Sequence, residues 1–188
     1  CEAWGRSDLV EAGYRRACRR FDGLLEELVS ELPALRSENK ALIGPIPRAM
    51  GWAVAPFRPQ FITPMAAVAG AVAEAVLAAL VGSGISRAYV NNGGDMALHL
   101  TPGESLVCAI AGADSQITIR SQDAVRGIAT SGWRGRSWSL GIADSVSVLA
   151  RTAAIADAAA TMIANAVDLL GHSAIIRRPA RDMQADSD

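Results

Sequence analysis

Three groups of residues carry side chains whose types and spacing can do chemistry. Asp157, Thr161 and Asn165 recur at intervals of four in an otherwise Ala-rich, apolar run, so a helix there places them on one face. A carboxylate and a hydroxyl one turn apart can both reach a hard cation such as Mg2+, which takes oxygen ligands and retains several waters. The same stripe equally suits a solvent-facing row, or buried polar groups bonded to backbone. Asn91-Asn92-Gly93-Gly94-Asp95 lies between two strand-like runs. Its Asn and Gly residues tolerate positive φ and make a hairpin turn; its paired glycines also let a ligand approach the backbone, with Asn92 and Asp95 offering polar groups at the rim. Trp133-Arg134-Gly135-Arg136-Ser137-Trp138 sets two Arg on a Gly-bearing turn flanked by indoles. It reads either as a β-turn with exposed Arg, or as a clamp that holds an anionic ligand by charge and stacking.

Other chemistries lack material. The only two histidines are His99, inside an alternating run, and His172, near a helix end, which leaves nothing for a His-based triad or a His-rich metal site. Among 18 basic residues Lys40 is the only lysine, and it follows the polar Ser37-Glu38-Asn39, where a solvated side chain is expected. Cys1, Cys18 and Cys108 are odd in number and too far apart for a CxxC motif. Gly82-Ser83-Gly84 opens like a dinucleotide loop, but Arg87 stands where the third Gly belongs and the segment follows a helix.

The elements that must position these groups follow from periodicity. An amphipathic helix is expected from Asp8 to Leu32, with a basic face at Arg15, Arg16, Arg19 and Arg20 that suits solvent or an anionic ligand. Gly44 to Pro64, with five prolines and three large aromatics, reads as an irregular connector. Thr63-Pro64, a capping hydroxyl before Pro at the first helical position, opens a second helix that runs to Gly82. Arg87–Val90, Met96–Leu100, Leu106–Ala111, Gln116–Arg120, Gly127–Thr130 and Ser137–Leu149 read as strands. A last helix runs from Thr152 to Leu170, stopped by Gly171, and the tail 177–188 is expected to fray. Helix, helix, a run of strands and a helix make an α+β class: a mainly antiparallel sheet packed with long Ala-rich helices.

At 188 residues the chain has the length of a single domain, 51% hydrophobic and 20% charged, which excludes a disordered or collagen-like polymer. A net charge of −1 removes the electrostatic case for nucleic acid. Pro64 to Val81 is apolar, but Glu74 in its middle and its many alanines make it a buried helix and not a membrane span. The cysteine usage points to a reducing, cytoplasmic compartment. A start at Cys1 reads as a trimmed chain, a lipid-bearing mature cysteine being the alternative.

Read in order, Pro64-Met65-Ala66-Ala67-Val68-Ala69-Gly70-Ala71-Val72-Ala73-Glu74, Val90 to Asp95, Ala129-Thr130-Ser131-Gly132 and Ala156-Asp157-Ala158-Ala159-Ala160-Thr161 resemble the ApbE superfamily. That group includes FAD-dependent protein FMN transferases, long described as thiamine-biosynthesis lipoproteins. The likeness is collinear over about residues 60 to 168 and is strongest to a short, uncharacterised bacterial and archaeal branch. It implies an ApbE-like α+β fold and a Mg2+ held by the Asp157 and Thr161 side chains and the Ala66 carbonyl. It also implies a flavin nucleotide, FAD as substrate, beside Asn92, Gly93, Gly94 and Asp95. Thr130, Ser131, Gly132 and Arg134 join the expected nucleotide-binding residues. The implied partners are a flavin or other nucleotide-like small molecule, an acceptor protein and further copies of the chain.

The sequence also departs from the transferases. Thr63 stands where they usually have Asp, and Ala69 where they have Lys or Glu. Ser139-Leu140-Gly141-Ile142-Ala143-Asp144 replaces their His-x-x-Asp-Pro segment without either His or Pro. The two expectations are therefore a Mg2+-dependent enzyme acting on a flavin or another nucleotide-like pyrophosphate, and a non-catalytic ligand-binding protein that kept the fold and lost FMN transfer.

Overall fold

The computed structural model describes residues 1–110, 114–135, 138–179 and 182. Five strands, β1 (Glu2–Gly5), β2 (Ile85–Asn92), β3 (Asp95–Leu100), β6 (Gly127–Ser131) and β7 (Val146–Ala150), form one sheet in the order β1-β2-β3-β6-β7. Two more, β4 (Ser105–Ala109) and β5 (Gln116–Arg120), form a separate hairpin. Every pairing is antiparallel, as the α+β reading requires.

Strand alternation assigns the two faces of the sheet. Ala88, Val90 and Ala97 point into a core built with the helices. Leu98, Leu100 and Ile128 point the other way and are covered by Leu106, Cys108 and Ile119 of the β4–β5 hairpin. On the helical side lie α1 (Ser7–Asp22), α4 (Pro45–Val54), α5 (Val68–Leu80) and α6 (Ala153–Ala166). Helix α5 packs on β2 and β3, α6 packs on β6 and β7, and the two helices pack on each other. Ala129, Ala156 and Ala160 fill the α6–sheet seam, where small side chains let helix and strand approach closely.

Several expectations need correction. The helix from Asp8 to Leu32 is broken into α1, α2 (Leu24–Ser30) and α3 (Leu32–Leu35), with the first interruption at Gly23. The basic face of α1 is largely committed within the fold: Arg16 donates to the Ala79 and Leu80 carbonyls at the end of α5 (2.9 Å each), and Arg15 and Arg20 pair with Glu11 and Glu27. The connector Gly44–Pro64 contains α4. Pro45 and Pro47 fall in its first turn, where the missing N–H groups cost nothing. The remaining N–H groups at that end donate to carboxylates from α2 and the residue after it: Gly44 to Glu31 (2.6 Å) and Ile46 to Glu27 (3.2 Å).

Thr63 is extended and its hydroxyl caps nothing; its carbonyl accepts from Ala66 N–H (3.1 Å), so Pro64–Ala67 is one 3-10 turn ahead of α5. The strand expected over Ser137–Leu149 is shortened to β7, and the last helix ends at Ala166 because the Val167 carbonyl accepts from Ile142 N–H (2.8 Å) and not from a further turn. Strand β1 was not legible as a strand; it pairs with β2 from Glu2↔Tyr89 to Gly5↔Ile85. Ala111, Arg136, Ser137 and most of the tail from 180 lie outside the described residues. No helix among the described residues is long and apolar enough to cross a membrane.

Candidate functional site

The β2–β3 hairpin turns at Gly93 and Gly94, with φ of 70° and 118°, a left-handed pair that only glycine adopts cheaply. That turn pairs Asn92 with Asp95. Both residues are in register with the helix-facing positions Val90 and Ala97, two along each strand, so both side chains lie on the helical side of the sheet. The turn is therefore a hairpin turn and also one wall of the candidate site.

Helices α5 and α6 supply the other wall. The Asp157 Oδ2 accepts from Gly70 N–H at 3.0 Å, one of the first-turn donors of α5 that has no acceptor within its own helix. The Asn92 amide donates to the Ala69 carbonyl at 3.1 Å. Asp95 Oδ1 accepts from Thr130 N–H at 3.2 Å. One carboxylate from α6 and one amide from β2 are thus fixed on consecutive residues of α5. The helices can meet there because residue 70 is glycine: a Cβ would stand 2.3 Å from the Ala153 carbonyl oxygen. Capping is reciprocal, since Glu74 of α5 accepts from Ala154 N–H at the start of α6 (2.9 Å).

Electrostatics distinguish this pair of acids from a plain cap. Burial, and next the facing Asp95 carboxylate, push the Asp157 carboxyl up to about 7, although the Gly70 and Ala69 N–H groups pull it down. Burial also raises Asp95, against its bond from Thr130. Two partly desolvated carboxylates that repel each other are poorly satisfied by neutral donors alone; a cation or shared proton relieves them.

Among the expected metal ligands, Asp157 is central to this arrangement, Thr161 lies one turn further along α6 and is half-buried, and Ala66 sits in the 3-10 turn packed on α6. Asn165, on the same stripe, serves elsewhere: its Oδ1 accepts from Leu140 N–H (2.9 Å) and from the Ser139 hydroxyl (3.1 Å). Thr130 contributes its backbone N–H only, since its side chain lies on the opposite face of β6 and shares a 2.7 Å hydrogen bond with the Ser147 hydroxyl. Ser131 and Gly132 continue from β6 into the loop that carries Arg134. Arg134 is exposed, stacked on Trp133 and ion-paired with Asp144 at 3.3 Å, so its charge is already matched. Lys40 and His172 are exposed. Periodicity had no means to find the Asp95–Asp157 pairing or the roles of the Ala69 and Gly70 backbone; the lone Glu74 in an apolar helix was the one visible sign of a capping acid.

The chain resembles proteins from methanogenic archaea. A protein named UPF0280 from Methanothrix thermoacetophila is 41% identical over 112 residues, 56% of this chain and 46% of the relative. A UPF0280 protein from Methanothermobacter thermautotrophicus is 34% identical over 149 residues, 76% of this chain and 55% of the relative. The chain spans about half the length of the curated relatives it matches. A family model described as AbpE bacteria matches residues 1–188, and on that full-length match the chain belongs to the AbpE bacteria family.

Proposed function

We propose that this protein is an ApbE-like, Mg2+-dependent protein whose site at Asp95 and Asp157 takes a flavin nucleotide or another nucleotide-like pyrophosphate. The observation that carries the reading is the pair of partly desolvated carboxylates facing each other behind a Gly-Gly turn, with Asp157 pushed up to about 7. The donor set fits a hard cation: a carboxylate, the Thr161 hydroxyl and the Ala66 carbonyl, all oxygen. Ala66 precedes the N-cap of α5, which leaves its carbonyl outside the ladder that helix propagates.

In this reading, Asp157 would hold the metal as the anion, aligned by the Gly70 N–H, while Asn92 fixes the β2–β3 turn to Ala69 and the Asn91 side chain accepts from the Gly94 N–H within the turn (2.8 Å). Asp95, anchored on Thr130 N–H, borders the same space. When bound, the cation supplies charge neutralisation for a pyrophosphate and for the phosphate that leaves it. The reaction class that follows is transfer of FMN from FAD to a protein hydroxyl.

A second reading, a ligand-binding protein without transfer chemistry, is favoured by one segment. Ser139 to Asp144, which stands where the transferases carry His, is bound to Asn165 and Val167 at the end of α6, and Asp144 is engaged by Trp133 (2.7 Å) and Arg134. No imidazole is available in that segment for proton transfer.

The test is a thermal melt of the purified chain with and without MgCl2 and FAD, followed by an assay of AMP release from FAD in the presence of a Thr-containing acceptor. Mg2+-dependent stabilisation, lost in Asp157→Asn, is expected. A chain whose melting temperature ignores both Mg2+ and FAD refutes the site. AMP release separates the enzyme from the binding protein.

A further inference from the structure

The five-stranded sheet ends on β1 and β7, and among the described residues only the β1 edge is closed by the fold. Along β1 the outward-facing N–H is that of Ala3, and it donates to the Tyr14 hydroxyl of α1 at 3.1 Å. That strand is also short, starts on Glu2 and slips register between Trp4 and Gly5, all of which keep a further strand from adding there. Strand β7 has none of these devices. Val146 to Ala150 carries no charge, proline or glycine and pairs with β6 without a break in register.

The direction of its free hydrogen-bonding groups follows from the ladders. Leu98 N–H donates to the Arg126 carbonyl (2.8 Å) and Thr130 N–H to Asp95, so the even-numbered residues of β6 face β3. Gly127, Ala129 and Ser131 therefore bond to Ala150, Val148 and Val146, and Ser147 and Leu149 turn their N–H and C=O groups outward. Neither residue's backbone has a hydrogen bond at that edge among the described residues. Beside the edge stands a bare helix face. Ala156 and Ala160 seat α6 on the sheet and Asp157 turns toward α5. Ile155, Ala159 and Ile163, four apart, thus lie on the side of α6 turned away from α5, toward the β7 edge. Ile155 is 38% exposed and Ile163 45%.

One occupant matches the edge, the stripe and the charges together: a second copy of this chain. In an antiparallel two-fold pairing centred on Val148, Ser147 of each copy stands opposite Leu149 of the other, and each such pair exchanges both its N–H···O bonds. Helix α6 lies over β6 and β7. With strands about 4.8 Å apart, the two α6 axes then run about 10 Å apart, the distance at which helices pack. The small Ala159 between Ile155 and Ile163 lets them approach. The ends match in charge. The same register sets Arg151 of one copy opposite Ser145 of the other, one residue from its Asp144. Arg151 is exposed and has no side-chain partner among the described residues, while the contacts of Asp144 with Trp133 and Arg134 both go to Oδ1 and leave Oδ2. A peptide of unrelated sequence would gain the strand pairing but neither the helix contact nor the matched ends. We propose that β7 and α6 form a two-fold interface that joins two copies of the chain through one continuous sheet. Asp157 faces α5 on the other side of α6, so the Asp95–Asp157 site of each copy stays outside the interface.

The experiment is sedimentation velocity on the intact chain over about a hundredfold range of concentration, without Mg2+ or flavin. Dimer and monomer with no larger species are expected, because the β1 edge is closed. Ile163→Glu, at an exposed position, brings two carboxylates together across the two-fold and should weaken the dimer at least about tenfold. Ser147→Pro removes an outward N–H that β6 does not use, and should weaken it comparably. Arg151→Glu sets a like charge near Asp144 and should weaken it by a smaller factor. Residues opposite each other in a non-hydrogen-bonded pair have Cα atoms about 4.5 Å apart, within reach of a disulfide. Val148→Cys, in a chain whose exposed Cys1 and Cys18 are replaced by Ser, should therefore cross-link two copies on mild oxidation. That conservative substitution reads the register even where a disruptive variant fails to fold. A chain that stays monomeric over the whole range, a dimer unchanged by both Ile163→Glu and Ser147→Pro, or a dimer that Val148→Cys does not cross-link would overturn the proposal.

Discussion

Replacing Asp157 by Asn removes a charge but keeps an oxygen for the Gly70 N–H, so it separates the cost of holding the carboxylate from the use made of it. An ordinary Asp titrates at 3.8 and this one at about 7. At 1.36 kcal/mol per unit, keeping it ionised in the metal-free protein costs at most about 4 kcal/mol. Water around a half-buried group, and an amide NH2 that needs its own partner, reduce the expected gain for Asn to about 2 kcal/mol. For a chain of this length that is a rise of about 4 to 8 °C in melting temperature at pH 8. The sign follows from linkage: between pH 4 and about 7 the folded carboxyl holds a proton that the unfolded one has released, so metal-free stability falls as pH rises through that window and is flat above it. The Asn variant should lose most of that slope. Mg2+ requires the ionised form, so its stabilisation of the native protein should be absent near pH 5, full above 7, and missing in the variant at every pH. Scanning calorimetry from pH 4 to 8, with EDTA or MgCl2, reads both effects. A variant that melts at or below the native protein at pH 8 in EDTA, or that keeps the Mg2+ shift, refutes the reasoning.

Gly70→Ala places a Cβ 2.3 Å from the Ala153 carbonyl; it should cost about 1 to 3 kcal/mol by forcing α5 and α6 apart and abolish Mg2+ stabilisation together with it, as denaturant melts with and without MgCl2 would show. Asn92→Ala removes the amide that holds Ala69, with about 1 kcal/mol lost in stability and a clear loss of FAD affinity by fluorescence quenching; unchanged affinity would reduce the hairpin to a plain turn. Arg16→Ala strips two bonds from the end of α5, far from the acids, and should lower stability by about 1 to 3 kcal/mol while leaving the Mg2+ shift unchanged. FMN transfer from FAD, followed as flavin fluorescence on an acceptor protein, should be slower by about 10² to 10⁴ than in a His-containing relative, the usual cost of a missing acid–base or charge-stabilising group.

The sequence by itself determined the α+β class, the existence of α5 and α6, and most of the strands, because apolar residues recur at the period of the element that buries them. It also marked Asp157 and the Asn91–Asp95 turn, since a polar stripe in an Ala-rich helix and a Gly-Gly pair are visible without a partner. Tertiary structure decided the rest. Helix α4 was hidden by prolines that read as breakers until their place in a first turn was known. Strand β1 is four residues long and exists through its pairing with β2. Thr130 carried the right residue type for a ligand, but strand pairing turned its hydroxyl to the far face. Asn165 shared the stripe with Asp157, and the 139–142 segment claimed it. The meeting of Asp95 with Asp157 depends on a glycine contact between two helices and a register between two strands. Periodicity reports only which way a side chain points within its own element; which charges face each other is set by long-range packing, and so is the desolvation that makes two carboxylates into a candidate site.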